Sequence, residues 1–361
     1  MNIMDLKFEY TENNHFKWGF GGEWYNKPDP TKQYQIQLGH TTRPIQSFRQ
    51  ECINTARLIA SKATKPICVG LSGGSDSQMA CLSFMQADIP FKTVIVSMVD
   101  ADGRILNDHD IKNAYAFCEK YNIEYIDFKI NPDEFYATKG KEYAAKYGFT
   151  GVHVLLQCAT MDFICPDYCY IMAGGDIVFA PYKKTLTPDL DLPELDNVPG
   201  VAKPVWWQTP LPIMQHMMAM GYEGTSKFYL YTPELIVAYL TDPAVKDFLN
   251  TQDVIYEVFI RWLPHPRMWW RCFHMLFKPL MTQREWPEML PARKYTGFEQ
   301  LQGKNFNSGK EMLYQAYVDE AAGGISSGQV IATPIADLIT YLTTPHTHNL
   351  VATRKLSGPN A

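Results

Sequence analysis

Residues 67–82, ICVGLSGGSDSQMACL, constrain most strongly what this chain can fold into. The apolar run at 67–71 reads as a buried strand. Ser72-Gly73-Gly74-Ser75-Asp76-Ser77 follows as a tight polar turn, and Met79, Ala80, Leu82 and Phe84 then begin a helix. A strand, a glycine turn and a helix in that order point free backbone N–H groups at a phosphate. Gly73 and Gly74 permit positive φ and let a phosphate approach the backbone without meeting a Cβ. Ser72 and Ser77 supply hydroxyl donors. Asp76 repels a phosphate directly, so its expected task is to hold Mg2+ that bridges carboxylate and phosphates. No Gly-Lys-Ser/Thr follows, so this is not the lysine-bearing P-loop. A plain strand-to-helix turn also draws on Ser, Gly and Asp; the six positions together, between strand and helix, favour a nucleotide.

The surrounding pattern fits a parallel sheet. Residues 91–99 (FKTVIVSMV) read as a second buried strand, Ile111, Ala114, Cys118 and Tyr121 as a helical stripe, and residues 123–130 as a third strand. Strands alternating with helices imply an α/β fold with a doubly wound parallel sheet. Ligands of such sheets lie at the carboxyl ends of strands near a topological switch point. Adenine is therefore expected at the end of the second strand, against main-chain groups of Val96, Ser97 and Met98. Before this core, aromatic and polar residues alternate over 1–40 and read as a small antiparallel sheet. Residues 44–62 read as a helix with Pro44 in its first turn. The expected division is 1–43, 44–230 and 231–361, the last part mainly helical.

Composition narrows the class. Of 361 residues, 46% are hydrophobic and 20% charged, as in a globular protein with a sizeable core. The net charge of −5 gives no electrostatic footprint of nucleic-acid binding. No signal pattern and no apolar run of about 18 residues is read, so a cytoplasmic, non-membrane protein is expected. Eight cysteines are scattered in apolar surroundings and read as reduced core residues. Cys158, Cys165 and Cys169 would share a face on one helix, but Pro166 interrupts it and no Cys-x-x-Cys pair occurs. His346 and His348 form a His-x-His pair with no other metal ligand near in sequence. Residues 185–210, rich in proline and aspartate, read as an irregular loop or lid.

Ser-Gly-Gly-x-Asp-Ser resembles the pyrophosphate loop (PP-loop) of the ATP pyrophosphatases. That resemblance implies ATP cleaved between the α- and β-phosphates. A second glycine turn, Gly174-Gly175-Asp176, follows the apolar segment 168–172. With Phe179 and Tyr182 it is similar to the Gly-Gly-Asp-Glu-Leu-Phe-Gly-Gly-Tyr segment of the asparagine synthetase family; Ile177 and Ala180-Pro181 depart from it. Asp76 and Asp176 together would hold Mg2+. Arg293-Lys294 ahead of Gly297-Phe298 resembles the family's late basic segment, whose lysine meets the reacting phosphates, with Arg293 as the competitor of Lys294.

The resemblance implies AMP-forming activation of a small-molecule carboxylate or carbonyl, then amide or C–N bond formation. Position 2 is Asn2 and the first cysteine is Cys52, so no glutaminase domain is expected. Nitrogen would come from ammonia, an amine substrate or a separate supplying protein. Ala173, three residues before Asp176, departs from the β-lactam synthetase relatives, which carry tyrosine there. The alternatives are a PP-loop sulfurtransferase or nucleobase-modifying enzyme, or an ATP-binding sensor without catalysis.

Overall fold

A computed structural model describes residues 17–24, 32, 34–147, 152–174, 178–179, 204–207, 211–250, 277–291, 329–351 and 354–355. The first elements are β1 (Lys17–Phe20), β2 (Glu23–Trp24), β3 (Tyr34–Gln37) and α1 (Phe48–Lys62). The central alternation follows as β4 (Ile67–Gly70), α2 (Ser75–Gln86), β5 (Phe91–Met98), α3 (Asp108–Tyr121) and β6 (Tyr125–Ile130). Helices α4 (Pro132–Ala137), α5 (Lys139–Tyr147) and α6 (Val152–Ile164) lead to β7 (Cys169–Ile171). Next come β8 (Val178–Phe179), β9 (Pro204–Trp207), α7 (Leu211–Met220), β10 (Gly224–Thr225), α8 (Pro233–Leu240) and α9 (Pro243–Asn250). The remainder is α10 (Lys278–Glu285), β11 (Gln329–Pro334), α11 (Ile335–Thr343), β12 (Leu350–Val351) and β13 (Arg354–Lys355).

The five-stranded sheet has the order β10-β7-β4-β5-β6 and every pairing in it is parallel. The inner strands β4, β5 and β7 are largely buried, which is why they read as apolar runs, whereas the edge strand β6 alternates exposed and half-buried residues. Side chains alternate across the sheet as a strand requires. Ile67, Val69, Ile95, Cys169 and Ile171 pack in one core with residues of α1, α2 and α3. Cys68, Val94, Met98 and Tyr170 pack in a second core with residues of α4, α5, α6 and α7. Helices thus cover both faces, the doubly wound arrangement. The chain steps outward from β4 through β5 to β6, then returns to the other side of β4 with β7 and β10. The switch point lies between β4 and β7.

The N-terminal strands form an antiparallel sheet as read, and β12 completes it against β3. In several places the elements differ from the sequence reading. Helix α1 starts at Phe48 rather than in the turn of Pro44, with Ser47 Oγ accepting from Gln50 N as its cap. The cause is Glu51: its buried carboxylate accepts from Arg43 and from Gln46 N, holding that approach outside the helix. Within the proline-rich stretch, β9 is a strand paired antiparallel with β8 and β11. Nothing local marks it, because β11 comes from far along the chain. The apolar segment 330–342 divides into β11 and α11, so the C-terminal region carries strands as well as helices. The aromatic segment 254–276 and the helix read around 312–322 lie outside the described residues.

Three donors converge on Asp162 of α6. His216 Nε2 lies 2.7 Å and Tyr222 OH 2.8 Å from Oδ1, and Tyr143 OH donates to Oδ2. Burial pushes this carboxyl up, but the bonds from His216, Tyr143 and Tyr222 outweigh it and hold it at about 2. A depressed folded-state value stabilises above the ordinary carboxylate value of about 3.9 and ceases to do so as pH falls through about 2. Asp162→Asn is expected to cost about 1–2 kcal/mol at neutral pH, discounted for partial exposure. In urea unfolding its deficit against the wild type should shrink between pH 4 and pH 2. A deficit constant across that range would show packing alone to be at work.

Candidate nucleotide site at the switch point

The turn at 72–77 joins β4 to α2 at the carboxyl end of the sheet. Gly73 takes φ +75°, and a Cβ there would lie 2.8 Å from Asp110 O and 2.9 Å from Ala114 N. Both are backbone atoms of α3, so only glycine lets that helix close over the turn. Gly73→Ala is expected to cost about 2–4 kcal/mol, strain and clash together. A urea midpoint unchanged from the wild type would refute it.

The turn is braced from within. Ser77 Oγ donates to Gly74 O (3.0 Å) and accepts from Ser72 N (3.2 Å). Ser72 Oγ lies 3.3 Å from Ser77 Oγ. Gly74 occupies the N-cap of α2 without any capping side chain. The first-turn N–H groups, those of Ser75, Asp76 and Ser77, are the orphan donors that suit an anion.

Asp76 stands on that first turn, and one of its oxygens is unusual. Oδ1 is buried, and among the described residues no donor meets it in hydrogen-bond geometry. Lys278 Nζ of α10 lies 2.7 Å from it, an ion pair by distance without the alignment of a hydrogen bond. The Lys278 side chain is 4% exposed. A buried carboxylate oxygen without an aligned donor suits a hard cation. The residues present therefore fit Mg2+, with the lysine already supplying positive charge beside the same atom.

Tyr229 draws the second glycine turn alongside. Its N–H donates to Gly174 O (3.1 Å) and its hydroxyl to the Asp76 carbonyl (2.6 Å). Gly174 is in close contact there: a Cβ would lie 2.8 Å from Ser226 O. Gly175 and Asp176 lie outside the described residues, as do Arg293 and Lys294. The chain leading to those cations is described. Leu290 N donates to Gln78 Oε1 (2.9 Å), while Gln78 Nε2 donates to Gly73 O (2.9 Å) and approaches Leu290 O (3.3 Å). Gln78 thus fastens Leu290 to the turn itself. Arg49 and Gln86 bond Glu288, and Lys120 and Tyr121 donate to the Glu288 carbonyl.

At the end of β5, Met98 N donates to Asn107 Oδ1 and Asn107 Nδ2 donates to Val96 O, both at 2.9 Å. Leu106 N donates to Met98 O (2.7 Å). Asn107 therefore stands where a neighbouring strand would, engaging the main-chain groups assigned to adenine. Ser97 Oγ donates to Asp127 Oδ1 (2.6 Å).

Several contributors escape the sequence reading: Lys278, Tyr229, Gln78 and Asn107. Gln78 alone leaves a trace, as a polar residue in a helix buried at every position from Ser77 to Phe84. Cys158 lies in α6, Cys165 beyond its end and Cys169 in β7, all buried and free. Burial pushes the thiols of Cys158, Cys165 and Cys169 up to about 12. His346 Nε2 lies 2.7 Å from Leu38 O and Nδ1 3.0 Å from Tyr341 O, so backbone carbonyls engage both ring nitrogens. Among the described residues no group of three or more His, Cys, Asp or Glu is placed to hold a metal ion. Among them, no helix is long and apolar enough to cross a membrane.

The fold and site define an α/β protein whose glycine turn, at the switch point of a parallel sheet, presents an acid-bearing helix N-terminus. No family model matches the sequence, and no curated protein matches it. Among solved structures, the chain is similar to an NMN synthetase from Francisella tularensis. That match has 21% identity and a TM-score of 0.26, over 36% of this chain and 53% of that one. It is also similar to an NH3-dependent NAD synthetase from Campylobacter jejuni, in complex with nitrate, at 12% identity and a TM-score of 0.30. This match covers 69% of this chain and 98% of the synthetase. A U34-tRNA thiolase from Methanococcus maripaludis, with its iron–sulfur cluster, matches at 13% identity and a TM-score of 0.27, over 64% and 79% of the two chains.

Proposed function

We propose that the chain is an ATP-dependent, AMP-forming ligase that activates a small-molecule carboxylate or carbonyl for C–N bond formation. The observation that carries this reading is the N-terminus of α2, without a side-chain cap, beside a buried Asp76 oxygen that among the described residues has no aligned donor and only the Lys278 ammonium close by. Ser72, Gly73, Gly74, Ser75 and Ser77 would bind the phosphates through N–H and hydroxyl groups. Mg2+, held by Asp76 and by Asp176 beyond Gly174 and Gly175, would supply neutralisation of phosphate charge. Adenine would lie beside the end of β5, against Val96, Ser97 and Met98, where Asn107 braces Val96 and Met98.

A substrate oxygen would attack the α-phosphate and expel pyrophosphate. Ammonia or an amine would then attack the activated carbon and expel AMP. Negative charge builds on the departing pyrophosphate, and a preorganised cation stabilises it. Lys278 stands at the turn already. Arg293 and Lys294, outside the described residues, follow Leu290 by three and four positions and would be the further candidates for this cation.

The sulfur-transfer alternative needs a reactive thiolate, and deeply buried thiols near 12 disfavour one at Cys158, Cys165 or Cys169. The test is product analysis with Mg2+, ATP, ammonium and a metabolite extract. AMP and pyrophosphate are expected. ADP and phosphate would overturn the mechanism, and ATP bound without turnover would favour the sensor.

A further inference from the structure

Strand β6 ends the parallel sheet, and among the described residues no strand pairs its outer side. The ladder to β5 fixes which groups point outward. Thr93 N donates to Glu124 O and Val99 N to Ile130 O, so the even-numbered residues of β6 face β5. Tyr125, Asp127 and Lys129 then direct their N–H and C=O groups away from the sheet. All three are exposed, Tyr125 to 50%. On the opposite face Phe128 stacks on Phe163 at 4.4 Å and 17°, yet Phe163 remains 48% exposed. An open edge flanked by exposed aromatic rings is a template for another strand.

The charges on this edge say which strand. When β6 pairs antiparallel with a second β6 about a two-fold axis through Phe128, Asp127 faces Lys129 of the other copy, twice over. A shift centring the axis on Asp127 sets carboxylate against carboxylate; centring it on Lys129 sets ammonium against ammonium. Like charges directly opposite destabilise a strand pair. In the favoured register the outward-facing groups of Asp127 and Lys129 meet as a hydrogen-bonded pair, and Phe128 meets its equivalent as a non-hydrogen-bonded pair. Asp127 is prepared for this. Its Oδ1 accepts from Ser97, and its Oδ2 lies 3.8 Å from Nζ of its own Lys129, a loose contact that a lysine of the second copy would tighten.

We infer that this chain forms a two-fold dimer by antiparallel pairing of β6 with β6 of a second copy, centred on Phe128. The two five-stranded sheets become one. The aromatic pairs Phe128 and Phe163 of both copies close one face of the seam, and the two Asp127–Lys129 pairs close the other.

Sedimentation velocity of the full chain tests it. A concentration-dependent dimer is expected. Lys129→Glu should weaken it at least tenfold, and the swap Asp127→Lys with Lys129→Asp should recover most of that loss. Phe128→Cys tests the register separately. Equivalent Cα atoms at a non-hydrogen-bonded pair lie about 4.5 Å apart, within disulfide reach. Mild oxidation should therefore cross-link Phe128→Cys and not the wild type. Ile126→Cys should not cross-link, since its two copies would lie about 14 Å apart. A wild type that stays monomeric at about 100 µM, a dimer indifferent to Lys129→Glu, or equal cross-linking of both cysteine variants would each overturn the inference.

Discussion

Asp76→Asn is expected to abolish formation of AMP and pyrophosphate from ATP, by about a thousandfold or more. The expectation rests on Oδ1, buried and met by no aligned donor among the described residues, beside a helix terminus suited to phosphates. An amide keeps the shape but removes the charge that would hold Mg2+. The N–H groups and Ser72 and Ser77 are untouched, so ATP affinity measured without Mg2+ should change only a few-fold. The Mg2+-dependent increment in affinity should vanish. Circular dichroism and urea unfolding separate this from misfolding, since the ion pair between Lys278 and Asp76 is lost in the same variant. Activity above a tenth of wild type would sink the assignment of Asp76 to the metal.

Lys278→Met should lower kcat by about a hundredfold to a thousandfold with a smaller change in KM. Its ammonium is already desolvated and positioned, so it stabilises developing phosphate charge without reorganisation. Methionine keeps the aliphatic stem and the packing of the start of α10. Lys278→Arg should rescue poorly, because a planar guanidinium replaces a compact point charge. A purely structural counter-ion behaves differently. Its removal would leave kcat intact and tighten apparent Mg2+ affinity at Asp76, and that outcome would reject catalysis by Lys278.

These expectations separate what is legible in the sequence from what is not. The turn at 72–77 is legible because strand, turn and helix are contiguous and each carries its own local signal. The parallel sheet is legible for the same reason, through alternation of short apolar runs with period-3.6 segments. The partners of the turn are not. Gln78 meets Leu290 212 positions away, and Tyr229 meets Asp76 across 153. Such contacts arise from the packing of remote elements, and a lysine before a proline looks like any helix start. Asn107 is hidden differently: its side chain does the work of a strand, and strand-like behaviour has no pattern in a single residue. Strand β9 escapes because its pairing with β11, not its own composition, makes it a strand.

The edge of the first sheet is closed by β12, and Thr41 N donates to Leu342 O (2.7 Å) close by. On a ribosome, the strand that needs this partner is made long before the partner. A nascent chain halted before residues 350–351 emerge would carry β3 with its outer hydrogen-bonding edge open, able to pair with neighbouring chains. Completion of the sheet is thus tied to synthesis beyond residue 351. Stalled translation should leave aggregation-prone species that the folded protein never exposes.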